Sequence, residues 1–136
     1  MYLIDTNILS EARKGVRANA GVRDFFEKQD SQHLFLSVLT VGEIRRGLEH
    51  IRCRGDLAQA LRLETWLDDL VVEFDDHILT FDMACAQVWG KLMSPNAQHA
   101  IDKQIAATAL IFDLTVVTRN LADFQSTGAR LINPFR

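Results

Sequence analysis

Short apolar runs alternate along the chain with longer segments in which apolar residues recur every three or four positions. The short runs predict strands, and the spaced segments predict helices with one buried face. Strands are predicted at residues 2–4, 33–37, 71–74, 115–118 and 130–132. Helices are predicted at residues 5–14, 19–29, 40–50, 56–71, 80–93 and 102–114, with a turn or short helix at 120–124. This alternation indicates an α/β fold with a mainly parallel sheet and right-handed crossovers.

The size and composition of the chain are typical of one domain. With 136 residues, of which 48% are apolar and 24% charged, residues 1–136 can bury a substantial core. No apolar run approaches the roughly 18 residues that a membrane span needs, and the N-terminus does not resemble a signal peptide. The two cysteines, Cys53 and Cys85, are isolated and fit neither a disulfide framework nor a zinc pattern. We therefore expect a cytoplasmic protein that does not associate with a membrane.

Four carboxylates occupy distinctive places in this pattern. Asp5 follows the first strand, Glu43 lies early in the helix after the second, Asp102 opens a helix, and Asp123 follows the strand at 115–118. The carboxyl ends of parallel strands and the starts of the following helices share one edge of an open sheet, where ligands bind. We therefore expect the four side chains to meet at that edge.

Clustered carboxylates repel one another, and a hard divalent cation removes that penalty. Oxygen ligands suit Mg²⁺ or Mn²⁺, and such a site supports hydrolysis of a phosphodiester by metal-activated water. Each acid also has an ordinary structural interpretation. Asp5, Asp102 and Asp123 could cap helices or a turn, and Glu43 could lie on a solvated helix face.

Four segments resemble the acidic motifs of one protein family. They are LIDTN with Ser10-Glu11 at the start of the chain, SVLTVGEIRRG at 37–47, IDKQIAATAL at 101–110, and TVVTRNLADF at 115–124 followed by Asn133-Pro134-Phe135. In their order and spacing they resemble PIN-domain ribonucleases of the VapC toxin type, and are most similar to the branch that includes FitB-type proteins.

The resemblance implies a single PIN-like domain with an α/β/α sandwich, usually dimeric. It implies Mg²⁺- or Mn²⁺-dependent cleavage of RNA, for which transfer RNA is a plausible target, by the toxin of a toxin–antitoxin pair. A cognate VapB-like antitoxin would be the protein partner, and DNA would be contacted only through that antitoxin. The expected metal-binding and catalytic acids are Asp5, Glu43, Asp102 and Asp123. The expected supporting residues are Asn7 and Thr118, which would orient carboxylates or water, and Asn120, which would contact a carboxylate or the substrate.

The charge distribution adds candidate substrate contacts. The net charge is −3, but residues 10–62 carry 10 Lys and Arg against 7 Asp and Glu. If this basic half borders the acidic edge, Arg13, Lys14, Arg45 and Arg46 would guide RNA phosphates. Solvated helix faces would explain the same residues.

Two further features bear on the site. The loop at 94–100 lacks the glycine expected before the third motif, which leaves the conformation of that loop open. The histidines at 33, 50, 77 and 99 show no ligand spacing, and no catalytic role is predicted for them.

The sequence is also compatible with three other functions. A related nuclease could act on DNA or on structured RNA, or the chain could serve mainly as the partner subunit of a DNA-binding repressor. An aspartyl phosphatase fits less well, because Asn7 stands where a second aspartate would be needed.

Overall fold

The computed structural model describes residues 1–136 and contains one parallel sheet of five strands. The strands are β1 (Tyr2–Ile4), β2 (Leu34–Ser37), β3 (Ile78–Leu79), β4 (Thr115–Val117) and β5 (Arg130–Ile132). Their order across the sheet is β3-β2-β1-β4-β5, and every neighbouring pair is parallel. The chain therefore begins in the central strand and builds outwards on both sides.

Seven helices connect the strands. They are α1 (Thr6–Ala12), α2 (Ala20–Lys28), α3 (Val38–Cys53), α4 (Leu57–Phe74), α5 (Met83–Met93), α6 (Ala100–Phe112) and α7 (Leu121–Phe124). None of them combines the length and the apolar composition that crossing a membrane requires.

The alternation of side chains along each strand divides the core into two layers. Ile4 and Val117 point into a cluster that α1 to α4 complete, whereas Leu3 and Val116 point into a second cluster with α6 and α7. Helices thus cover both faces of the sheet, as parallel strands require. The predicted α/β class and α/β/α sandwich are confirmed.

The predicted strand at 71–74 is wrong. These residues form the last turn of α4, and the edge strand β3 lies later, at Ile78–Leu79. The β-branched pair Val71-Val72 favours a strand locally, but Leu70 and Phe74, four residues apart, are both buried on one helix face. Tertiary packing therefore decides the helical conformation.

Several helix boundaries also differ from the prediction: α1, predicted to residue 14, ends at Ala12, and α3, predicted at 40–50, spans Val38–Cys53. The helix predicted from residue 80 begins at Met83, because Asp82 caps it by accepting a hydrogen bond from the Cys85 amide. The helix predicted at 102–114 spans Ala100–Phe112, which places Asp102 in its first turn.

Candidate active site

Asp5 is the buried centre of the site. It lies directly after β1, where its backbone N–H donates to the Val117 carbonyl of the neighbouring strand at 2.9 Å. Its Oδ1 caps α1 by accepting from the Thr6 amide at 2.9 Å. Only 4% of Asp5 is exposed, so the sheet and the helix hold the carboxylate in one orientation.

The second carboxylate oxygen of Asp5 is held by side chains that follow two different strands. The hydroxyl of Thr118 donates to Asp5 Oδ2 at 2.8 Å, and the amide of Asn7 donates to the same oxygen at 3.2 Å. Asn7 also accepts from the Arg119 amide, and Thr118 accepts from the Asn120 amide. The expected supporting residues therefore gather at Asp5, with Asn120 contributing its backbone N–H.

Glu43 enters from α3 and is linked to Asp5 through Thr6. The Thr6 hydroxyl donates to Glu43 Oε1 at 3.0 Å, while the backbone N–H of the same residue binds Asp5. Sequence analysis assigned no role to Thr6, although it lies inside the first motif. One residue thus aligns two carboxylates that are 38 positions apart in the chain.

Asp102 and Asp123 complete the cluster on the side of α6 and α7. Both are half-buried. His99, the residue directly before α6, lies with them: the imidazole and the two carboxylates each present a ligand atom within 4.8 Å of the others. Sequence analysis missed His99, because its spacing from Asp102 becomes meaningful only once the loop conformation is known.

The charges of the other three acids act on Asp102. Burial raises the pKa of Asp5 and of Glu43, although hydrogen bonds from Thr118 and Thr6 oppose the effect. Burial, followed by the charges of Asp5, Asp123 and Glu43, raises the pKa of Asp102 to about 6. Asp5, Glu43 and Asp102 are therefore costly to ionise in this cluster.

This donor set fits a divalent cation. Carboxylate oxygens from four separate segments converge, and their mutual repulsion is the penalty that a bound Mg²⁺ or Mn²⁺ would offset. Asp5, Glu43, Asp102 and Asp123 would hold the ion. Thr6, Asn7 and Thr118 leave the acids few alternative orientations.

The four predicted phosphate contacts lie in different surroundings. Arg13 lies over the ring of Trp66 at 5.6 Å, and Lys14 pairs with Glu11 at 2.9 Å. Arg45 pairs with Glu49 at 3.1 Å and also with Glu64.

Arg46 differs from those three. Burial raises the pKa of Glu43 and the Arg46 charge partly opposes this, and Arg46 lines the same groove as that residue. Arg119, which sequence analysis did not single out, also lies at the edge of the site, with its guanidinium over the Phe135 ring at 4.4 Å.

Comparison with known proteins identifies the family. The model of the PIN domain matches residues 2–129. The chain belongs to the PIN-domain family. This confirms the resemblance drawn from the four motifs, whose carboxylates now lie at one edge of a PIN-type sheet.

Relatives of this PIN domain include toxins of the VapC and FitB type. The chain is 34% identical to the plasmid stability protein StbB of Pseudomonas syringae pv. tomato, over 99% of both chains. It is 30% identical to the VapC ribonuclease Y4jK of Sinorhizobium fredii, over 99% of this chain and 98% of the relative.

Solved structures of related proteins have the same fold. The FitAcB structure from Neisseria gonorrhoeae superposes with a TM-score of 0.84 at 30% identity, covering 98% of each chain. A structure of FitAB bound to an IR36 DNA fragment superposes with a TM-score of 0.82 at 27% identity, over 100% of this chain and 96% of the other.

Proposed function

We propose that the protein is a metal-dependent endoribonuclease that hydrolyses phosphodiester bonds in RNA at the four-carboxylate site. The observation that carries the proposal is the convergence of Asp5, Glu43, Asp102 and Asp123 at one edge of the sheet. The ribonuclease named among the relatives supports RNA as the substrate. Transfer RNA is our first candidate within that class.

The chain contributes position and charge to the reaction. Thr118 and Asn7 fix Asp5, and Thr6 fixes Glu43, so that the acids present a preorganised set of oxygens. A bound Mg²⁺ or Mn²⁺ would activate water and stabilise the negative charge that develops on the phosphate. Arg46, beside Glu43, is placed to attract the phosphate backbone towards these oxygens.

We further propose that this nuclease is the toxin of a toxin–antitoxin pair. The FitAcB, FitAB and VapC names among the relatives support this assignment. The expected partners are a VapB-like antitoxin and a second copy of the chain, and DNA would be reached only through the antitoxin.

Cleavage of a cellular RNA pool by the purified protein, free of antitoxin, tests the activity. The pool is incubated with Mg²⁺, with Mn²⁺, or with a chelator, and the new 5′ ends are mapped. We expect cuts only with metal, and a loss of at least about 100-fold in Asp5→Asn, because this change removes a charge on which the metal site depends. The mapped ends then identify the target RNA.

The matched control is Asp69→Asn, an exposed carboxylate on α4 that lies outside the cluster. It should cleave like the unaltered protein. Equal cleavage by Asp5→Asn would show that the activity comes from a contaminating nuclease and would contradict the proposal.

One observation favours a second candidate. The likeness to a FitAB complex bound to DNA suggests a role as the partner subunit of a DNA-binding repressor. Metal binding without cleavage of any RNA would favour that role. A DNA substrate in the same assay tests the related possibility of a deoxyribonuclease.

A further inference from the structure

His99 occupies a position that the four-acid description of the site leaves unexplained. Its Nε2 lies 3.7 Å from Asp123 Oδ1, and 45% of the histidine side chain is exposed. Hydrogen bonds between such groups have lengths near 2.8 Å, so the two side chains face each other without bonding directly. Asp102 presents a carboxylate oxygen to the same space.

The spacing of these three groups is close to that of ligands around one ion. For metal–ligand distances near 2.1 Å, adjacent ligands of an octahedral ion lie roughly 3 Å apart and opposite ligands roughly 4 Å apart. The 3.7 Å separation falls between these values, and no ligand atom of the three is more than 4.8 Å from another. Small side-chain rotations would bring all three onto a shared ion.

The backbone around His99 is held by hydrogen bonds. The His99 carbonyl accepts from the Lys103 amide at 2.9 Å, and the buried Lys103 ammonium donates to the Asn96 carbonyl. Trp89 of α5 donates to the Ala100 carbonyl at 3.1 Å. Because the loop is tied to both helices, its backbone would lose little conformational freedom when His99 binds an ion.

His99 also adopts a left-handed conformation, with φ at 57°. Such a conformation is unfavourable for most residues other than glycine, and histidine and asparagine tolerate it better than most. It lies in the loop where a glycine was expected from the sequence. A functional side chain at this position would explain why a residue with a Cβ occupies it.

We propose that His99 is a ligand of the divalent metal ion held by the carboxylate cluster, and that its imidazole nitrogen gives the site a preference for Mn²⁺ over Mg²⁺. The inference rests on the proposed metal-dependent function. Mg²⁺ takes oxygen ligands and gains little from nitrogen, whereas transition ions bind imidazole well. The donor set becomes four carboxylates and one nitrogen.

Metal binding to the full chain, without RNA, tests this proposal. Calorimetry with Mn²⁺ alone and Mg²⁺ alone gives the affinities, and pulsed electron paramagnetic resonance of bound Mn²⁺ detects coupling to a ligand nitrogen. The variant is His99→Asn, since asparagine tolerates the left-handed conformation, and His99→Gly is a second variant that retains it. We expect both to lower Mn²⁺ affinity about tenfold or more, with a smaller effect on Mg²⁺, and to abolish the nitrogen coupling.

The control is His50→Ala, an exposed histidine that lines the groove containing Glu43. It should keep both the Mn²⁺ affinity and the nitrogen coupling. Absence of nitrogen coupling in the unaltered protein, or its persistence in both His99 variants, would overturn the assignment.

Asp5→Asn separates this inference from the function on which it rests. If Asp5→Asn weakens Mn²⁺ binding and the His99 variants do not, the carboxylate site stands and the role of His99 is refuted. If Asp5→Asn leaves Mn²⁺ affinity unchanged, the metal site itself is refuted, and His99 cannot be its ligand.

Discussion

At the scale of single residues, Asp5 shows how the site depends on contacts that are distant in sequence. Its hydrogen bond from Thr118 joins residues that are 113 positions apart, and the Asn7 amide closes the same network. A buried carboxylate with these partners is costly to disturb, because any lost partner leaves a polar group unsatisfied. The position of the carboxylate is thus determined by two segments of chain, residues 5–7 and 117–120.

The raised pKa of Asp102 shows how unfavourable it is to ionise a carboxyl in this cluster. Its pKa is raised to about 6, from an ordinary value of 3.8. The ionised form is therefore less favourable in the folded than in the unfolded chain, so the metal-free protein loses stability as the pH rises through about 6. Well below pH 3.8 the carboxyl is protonated in both states, and the penalty disappears.

We expect Asp102→Asn to stabilise the metal-free protein at pH 7. The gain should be about 1 kcal/mol, since solvent screening at a half-buried carboxyl reduces the full effect of the shift. Urea unfolding with a chelator present, at pH 7 and at about pH 3, measures it. The gain should vanish at the lower pH, and an equal gain at both values would contradict this account.

At the scale of elements, the C-terminal segment, residues 134–136, packs against the start of α2. Asn19 donates to the Arg136 carbonyl at 2.8 Å and accepts from the Arg136 amide at 3.1 Å. The Arg136 guanidinium pairs with Asp24 at 2.6 Å. Gly21 makes this contact possible, because a Cβ at this position would lie 1.9 Å from the Pro134 carbonyl oxygen.

Gly21→Ala should destabilise the fold by about 1–3 kcal/mol, since the C-terminal backbone must move away from α2. Thermal unfolding measures the change. The matched control is Gly90→Ala in α5, where an added Cβ meets nothing within 4 Å and alanine favours the helix. A melting temperature for Gly21→Ala equal to that of the unaltered protein would refute the close contact.

The elements also show how far sequence analysis can reach. Periodic apolar residues predict α6 and the run of β-branched residues predicts β4, because both patterns persist over a full element. Strand β3 has only two residues and no distinct pattern, and buried Phe74 extends α4 over the Val71-Val72 pair. Local propensity cannot reveal which of the two conformations the surrounding core selects.

In the site, too, some residues could be predicted from the sequence and others could not. The four acids were predicted from motif positions; in the structure Asp102 and Asp123 lie together with His99, and Thr6 links Asp5 to Glu43. His99 was missed, because its proximity to Asp123 follows from one left-handed residue and from the packing of α7 against α6. The role of Thr6 was missed for a similar reason, since its link to Glu43 exists only after α1 and α3 pack together.

At the scale of the whole molecule, many basic residues are already engaged by acidic ones. Arg45 and Arg52 pair with Glu49 within α3 and with Glu64 of α4, and Arg130 pairs with Asp113. Arg46 is exposed, and its charge acts on Glu43. Arg46 is therefore a cation near the acids that takes part in none of these ion pairs.

We expect Arg46→Ala to weaken RNA binding and to reduce its salt dependence. Measured in the Asp5→Asn background, the slope of log affinity against log salt should become shallower by about 0.7, which corresponds to one lost phosphate contact. Arg130→Ala, which removes a cation already paired with Asp113, is the control and should leave the slope unchanged. Identical slopes for all three proteins would exclude Arg46 from the RNA path.

The central position of β1 has a consequence for the protein during its synthesis. Strand β1 is translated before its partner β4, and Asp5 is translated before Thr118, which donates to its carboxylate. Asp123 follows both. A chain interrupted before β4 therefore carries Asp5 without the hydrogen bond that orients it in the folded protein.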